Sequence, residues 1–244
     1  MRDTLRGVSP TLGLLLAFDG VVLGSDLPVQ SFARHASQGL SAADTRALIG
    51  GMRGFLEGRP DLMPADIALD HAQDGDEAVE ILARATGLDD AAIVQARRAS
   101  RVDLAGSAWA VDPTPGLAEL LSGLPRVYRV MVVDTDRTGV TQVAASVGIA
   151  DDVDAVITRP RGSEGVRQAV EEVLDAIGPA SDPKRLLAIG CRWDPDLVVP
   201  QAAGCLTGLV DRFALGRGTP TWRSADLAGL VPEVRRWATT AVPA

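Results

Sequence analysis

The first apolar run of the chain ends on a single carboxylate. In LGLLLAFDGVVLGSD (12–26), Leu12 to Phe18 is followed by Asp19, Gly20 and a loosening into glycine and serine. Such a run predicts a buried strand with a polar loop at its tip, where α/β sheets present catalytic groups. Ala17, two residues before Asp19, has no chemistry to offer. Asp19 also suits a purely local role, because aspartate accepts backbone N–H groups in turns. A second polar cluster, Cys191 to Asp196 in GCRWDPD, follows another apolar run, RLLAIG (185–190). Asp19 with Asp194 or Asp196 could activate a water molecule. The Cys191 thiol has no histidine nearby in sequence, so it has no evident base for work as a nucleophile.

Composition excludes several classes. The net charge of −8 argues against a nucleic-acid binder, which needs a basic face for phosphates. No apolar run approaches the roughly 20 residues that span a bilayer, and the N-terminal apolar stretch Leu14–Ala17 is too short for a signal peptide. A cytoplasmic location with no membrane partner is expected. Hydrophobic residues reach 46% with aromatics at only 4%, so the core must be aliphatic. Cys191 and Cys205 do not make a disulfide framework. His35 and His71 are too scattered for a histidine metal site and are expected at the surface or at helix caps. The basic cluster ARRASR (96–101) is expected to be a solvated helix face. Lys184 is the only lysine; every other basic side chain is arginine.

These groups must be positioned by an alternation of strands and helices. Strand patterns fall at 12–18, 126–134, 153–158, 185–190 and 206–210. Helical patterns fall at 114–124, 138–148, 163–178 and 194–204, the last with Pro200 inside it, and a closing helix is expected near 224–238. Alternation of this kind predicts a Rossmann-like, doubly wound parallel sheet covered on both faces. Residues 26–112 break the pattern. They hold helical stretches (27–40, 41–58, 75–87 and 88–104) and no convincing strand, which predicts an all-helical cap inserted after the first strand. The expected domains are 1–25 with 113–244 as the α/β core, and 26–112 as the cap.

This arrangement resembles the haloacid dehalogenase (HAD) superfamily, in its members with a helical cap after the first strand, over roughly Leu12 to Trp237. The motif residues are AFDG after the first strand, VVDT (132–135) after the second, TRP (158–160) after the third, and GCRWDPD followed by VVPQAAG (198–204) after the fourth. The resemblance implies that Ala17 stands at the nucleophile position and Asp19 at the general acid/base position, with Gly20 completing the loop. The hydroxyl that binds the phosphoryl group falls at Val133 or Thr135, depending on register. Arg159 stands where the family has lysine, a planar fork in place of a point charge. Cys191 takes the first acidic position for magnesium, and Asp194 or Asp196 the second. In the cap, Arg53 in GMRGFLEG (51–58) is a candidate contact for an anionic substrate.

A methyl group cannot attack phosphorus, and a thiol is a soft ligand for a hard cation. Three changed positions, Ala17, Arg159 and Cys191, therefore imply a pseudoenzyme: a HAD-like chain that has lost aspartyl-phosphate hydrolysis, needs no cofactor, and is retained for binding, regulation or assembly. Its partner would be a protein or a phosphorylated small molecule. Arg159 would pair with Asp19 in place of the metal. The alternative is a magnesium-dependent phosphatase or hydrolase of small phosphorylated metabolites, rearranged around Asp19 with Asp194 or Asp196 as residual ligands. The Ala- and Val-rich helical segment also suits a homodimer surface.

Overall fold

The computed structural model describes residues 10–106, 111–124, 126–133, 137–158, 163–178 and 182–240. Six strands form one sheet: β1 (Leu12–Ala17), β2 (Val127–Val133), β3 (Ala155–Thr158), β4 (Leu186–Gly190), β5 (Leu206–Val210) and β6 (Trp222–Ser224). Their order is β3-β2-β1-β4-β5-β6, and all pairs are parallel. The central strand β1 pairs on one side with β2, Ala17 opposite Val132, and on the other with β4, Leu16 opposite Ile189. Leu12, Leu14, Leu15 and Leu16 are all buried. Burial on both faces is why β1 reads as a continuous apolar run rather than an alternating one.

By its internal contacts the chain divides into two compact units, one of residues 1–24, 113–137 and 144–244 and one of 25–112 and 138–143. The second unit is built on α1 (Leu27–Ala36), α2 (Ala42–Glu57), α3 (Gly75–Ala85) and α4 (Asp90–Ala105), with no strand among the described residues 25–106 and 111–112. Ser41, Asp74 and Asp89 accept N–H groups of the first turns and so fix where α2, α3 and α4 begin. The basic cluster of α4 is not a solvated face. Arg97 is 8% and Arg101 5% exposed. Arg97 can be buried because it pairs with Asp76 at 2.8 Å and with Glu80, and lies over the Phe32 ring, 4.7 Å from its centroid. His35 is also drawn inward: its Nε2 lies 2.8 Å from the Asp103 carboxylate, which accepts the Ser31 hydroxyl at 2.6 Å. His71 stays exposed.

The α/β unit adds α5 (Leu117–Ser122), α6 (Val140–Ser146, part of it within the helical unit), α7 (Ser163–Ile177), α8 (Val198–Ala202) and α9 (Val231–Thr240). Val166, Ala169, Val170 and Val173 of α7 join Leu15, Val130, Val132 and Ala188 in one aliphatic core. The segment expected as a single helix over 194–204 is instead a widened turn, Trp193–Leu197, followed by the short α8; Asp194 keeps extended dihedrals and breaks the helix. Pro200 falls in the first turn of α8, where its missing N–H costs little. The closing helix begins later than its pattern suggests, because Trp222–Ser224 adds a sixth strand on the edge. Thr114 joins the two crossings out of the α/β unit: its hydroxyl donates to the Val22 carbonyl at 2.8 Å and accepts the Gly24 N–H at 3.2 Å. Among the described residues no helix is long and apolar enough to cross a membrane.

Candidate functional site

The direction of winding reverses between β1 and β4, and in an open parallel sheet the crevice beyond the carboxyl ends of such a strand pair is where ligands bind. Two loops meet there, Ala17–Leu23 and Cys191–Leu197. The first doubles back on itself: the Leu23 N–H donates to the Phe18 carbonyl at 2.8 Å and the Gly20 N–H to the Leu23 carbonyl at 3.0 Å. Phe18 is fully buried and its N–H extends the β1 ladder onto Val132. Gly20 adopts φ +75°, and a Cβ there would lie 2.4 Å from the Cys191 sulfur. Glycine is thus required both by its left-handed backbone and by the closeness of the second loop. The Cys191 thiol donates to the Asp19 carbonyl at 3.4 Å.

The second loop closes on a buried ion pair. Asp196 Oδ1 accepts Arg192 Nη2 at 2.7 Å, while Oδ2 accepts the backbone N–H groups of Cys191 at 3.2 Å and Arg192 at 3.1 Å. Both side chains are under one-tenth exposed, 4% for Arg192 and 8% for Asp196. Gly190 makes room for this return, since a Cβ there would stand 2.5 Å from that of Asp196. Trp193 lies over Gly218, where an added Cβ would fall inside the indole ring's contact distance, at 1.9 Å. The loop bearing Gly218 is held in turn by Asp211 and Arg223. Asp211 accepts the N–H groups of Leu215 at 2.8 Å and Gly216 at 3.0 Å, and Arg223 bonds Asp211 and the carbonyls of Arg217 and Gly218. Burial works against ionisation of Asp211, but these N–H donors and the Arg223 guanidinium outweigh it and hold the carboxyl below its ordinary range.

A cleft opens on the α7 face of this strand pair. Leu15, Ala17, Val132, Val166 and Ala188 supply apolar wall, and Asp19, Arg192 and Asp196 supply polar groups. Fold and loops therefore bring together Ala17, Asp19, Gly20, Cys191 and Asp196. Asp194 is exposed and does not line the cleft. Val133 is the buried last residue of β2 and offers no hydroxyl. Thr135 and Arg159, and with them the expected Arg159–Asp19 contact, lie outside the described residues. Arg53 belongs to the helical unit, where it is exposed with its Nε 3.5 Å from Glu57. Sequence reasoning passed over Arg192. Its one signal was an arginine and an aspartate four apart directly after an apolar run, a spacing known from helical ion pairs. Among the described residues no group of three or more His, Cys, Asp or Glu side chains is placed to hold a metal ion.

No family model matches the chain, and no curated protein is similar enough in sequence to count as a match. Solved structures are similar in fold. A Lactobacillus plantarum protein provisionally assigned as a phosphoglycolate phosphatase is 15% identical, with 94% of this chain and 100% of that one covered at a TM-score of 0.59. YfnB of Bacillus subtilis, provisionally assigned as a HAD-hydrolase and solved with magnesium, is 17% identical, with 93% and 99% covered at 0.58. The L-2-haloacid dehalogenase of Xanthobacter autotrophicus, solved with chloropropionic acid covalently bound, is 17% identical, with 91% and 98% covered at 0.51. The chain thus has the haloacid dehalogenase-like fold, a six-stranded Rossmann-like sheet shared with phosphatases and dehalogenases.

Proposed function

We propose that this chain is a HAD-like pseudoenzyme, a member of the superfamily that no longer carries out aspartyl-phosphate hydrolysis and is retained for binding, regulation or assembly. The observation that carries this reading is the closed second loop. At the position where the family places its first magnesium-binding carboxylate stands Cys191, its thiol donating to the Asp19 carbonyl. The following carboxylate, Asp196, has both oxygens committed to Arg192 and two backbone N–H groups. With Ala17 at the nucleophile position, Asp19 is the other carboxylate that lines the cleft.

This donor set does not fit magnesium. The ion asks for near-octahedral oxygen ligation and is usually held by one or two carboxylates with substrate phosphate and water. A soft sulfur side chain and a carboxylate already bonded to a guanidinium do not supply that ligation. No step of the reading passes through a metal. Residues 26–112 are read as the family's helical cap, and Arg53 as a candidate anion contact on it. The ligand is a protein or a phosphorylated small molecule.

The test is turnover. The purified native chain is expected to release no phosphate above background from a broad panel of phosphate esters, with or without added Mg²⁺. Hydrolysis at an ordinary enzymatic rate, lost in Asp19→Asn, would overturn the proposal in favour of an Asp19-based hydrolase.

A further inference from the structure

One basic side chain of the cleft, Arg192, has no part in phosphoryl chemistry. Arg192 is 3% exposed, at the mouth of a parallel sheet where a buried charge is costly. It shares the cleft with Ala17, Asp19 and Asp196. We infer that the Arg192 guanidinium replaces a divalent cation in this chain, acting as a built-in counter-charge to Asp196 that makes the crevice independent of metal and closed to it. The inference rests on the proposed function only for the correspondence of Cys191 and Asp196 with the family's metal-binding positions.

Three observations converge on it. Arg192 Nη2 meets Asp196 Oδ1 at 2.7 Å, the short contact of a charge-assisted bond, so the carboxylate is neutralised from within the loop. The other oxygen, Oδ2, is turned to the N–H groups of Cys191 and Arg192 and so fixes the loop itself. The Cys191 sulfur lies 3.4 Å from the Asp19 carbonyl at the position of the first metal-binding carboxylate, and sulfur is a soft ligand that suits a hard cation poorly. Asp19 and Asp196 both line the cleft, and Arg192 is bonded to Asp196 within it. A divalent ion entering here would have to stand beside a buried guanidinium bonded to Asp196. A counter-charge carried by the chain is present at every metal concentration, which suits a crevice kept for binding rather than for turnover.

The test reads metal binding, not activity. Native protein is titrated with Mn²⁺ and free ion is followed by electron paramagnetic resonance; in parallel its melting is followed with and without millimolar Mg²⁺. The expected result is no loss of the free Mn²⁺ signal at equimolar protein and no Mg²⁺-dependent shift in melting. Cys191→Asp alone is expected to stay inert, and Cys191→Asp/Arg192→Ser to gain a site. Saturation about a hundredfold above Kd would raise its melting temperature by roughly 5–10 °C. Binding of Mn²⁺ by the native chain, abolished by Asp196→Asn, would overturn the inference. So would a gain by Cys191→Asp equal to that of the double variant. If the double variant does not fold, the native titration decides alone. A native chain that binds Mn²⁺ yet hydrolyses no ester would sink this inference and leave the pseudoenzyme reading standing.

Discussion

Replacing Asp196 with asparagine tests whether the second loop is a structural lock or an open acidic site. The substitution keeps the shape of the side chain and an oxygen for the N–H groups of Cys191 and Arg192, but removes the charge. Arg192, 4% exposed, would then lose the charge it is bonded to. Breaking a buried pair from one side costs on the order of 3–5 kcal/mol. For a chain of this size each kcal/mol lowers the melting temperature by about 2–4 °C, so Asp196→Asn should melt roughly 6–20 °C below the native protein. Arg192→Met together with Asp196→Asn removes both charges, keeps the amide acceptor, and should recover most of the loss. Their coupling in a double-mutant cycle should then be about 2 kcal/mol or more. Thermal and urea melts of the four proteins measure it. The opposite outcome is equally readable. In a cluster of metal-binding carboxylates, removing one charge relieves repulsion, so an unchanged or raised melting temperature in Asp196→Asn would refute the structural role argued for the pair.

Other expectations follow from the same loops. Gly20→Ala should destabilise by about 2–4 kcal/mol, from a left-handed backbone and a Cβ placed 2.4 Å from the Cys191 sulfur and 2.8 Å from its Cβ; adding Cys191→Ala should recover only the sulfur's share of the clash and leave the Cβ contact and the backbone part, as read from urea melts. Burial pushes the Cys205 thiol up to about 11, so near pH 8 only ~0.1% is thiolate; alkylation of the native protein mapped by mass spectrometry should find Cys191 modified and Cys205 spared. Because the folded value lies above the ordinary one of 9.0, this thiol's contribution to stability is complete below about pH 9 and is lost as pH rises toward 11, a decline that Cys205→Ala should remove. For Asp211 the sign is reversed: its folded value lies below the ordinary 3.8, so its contribution is present above that pH and is lost as pH falls through the folded value. Asp211→Asn should therefore flatten the acid limb of the stability curve and speed hydrogen exchange at Leu215 and Gly216.

The order of elements was legible in the chain because its signals are local. An aliphatic run bounded by glycine and aspartate is a strand wherever it ends up, and the spacing of Val166, Ala169, Val170 and Val173 is a helix face before anything packs on it. The same locality showed that Ala17 cannot attack and that Cys191 is not a carboxylate, since both statements concern residue type alone. What the tertiary structure decided are the pairings that cross the sheet or fold a loop back on itself. Arg97 and Arg101 look like surface charge until Asp76, Glu80 and Phe32 are brought to the first of them. Trp222–Ser224 is too short to carry a period and becomes a strand only because β5 offers an edge. Arg192 and Asp196 are four apart in sequence, but Asp194 is extended, so helical spacing is not what joins them. They meet because Gly190 leaves the end of β4 bare and the loop can return over it. Which charge faces which in this crevice depends on how the loop returns over the end of β4, and spacing along the sequence does not fix that path.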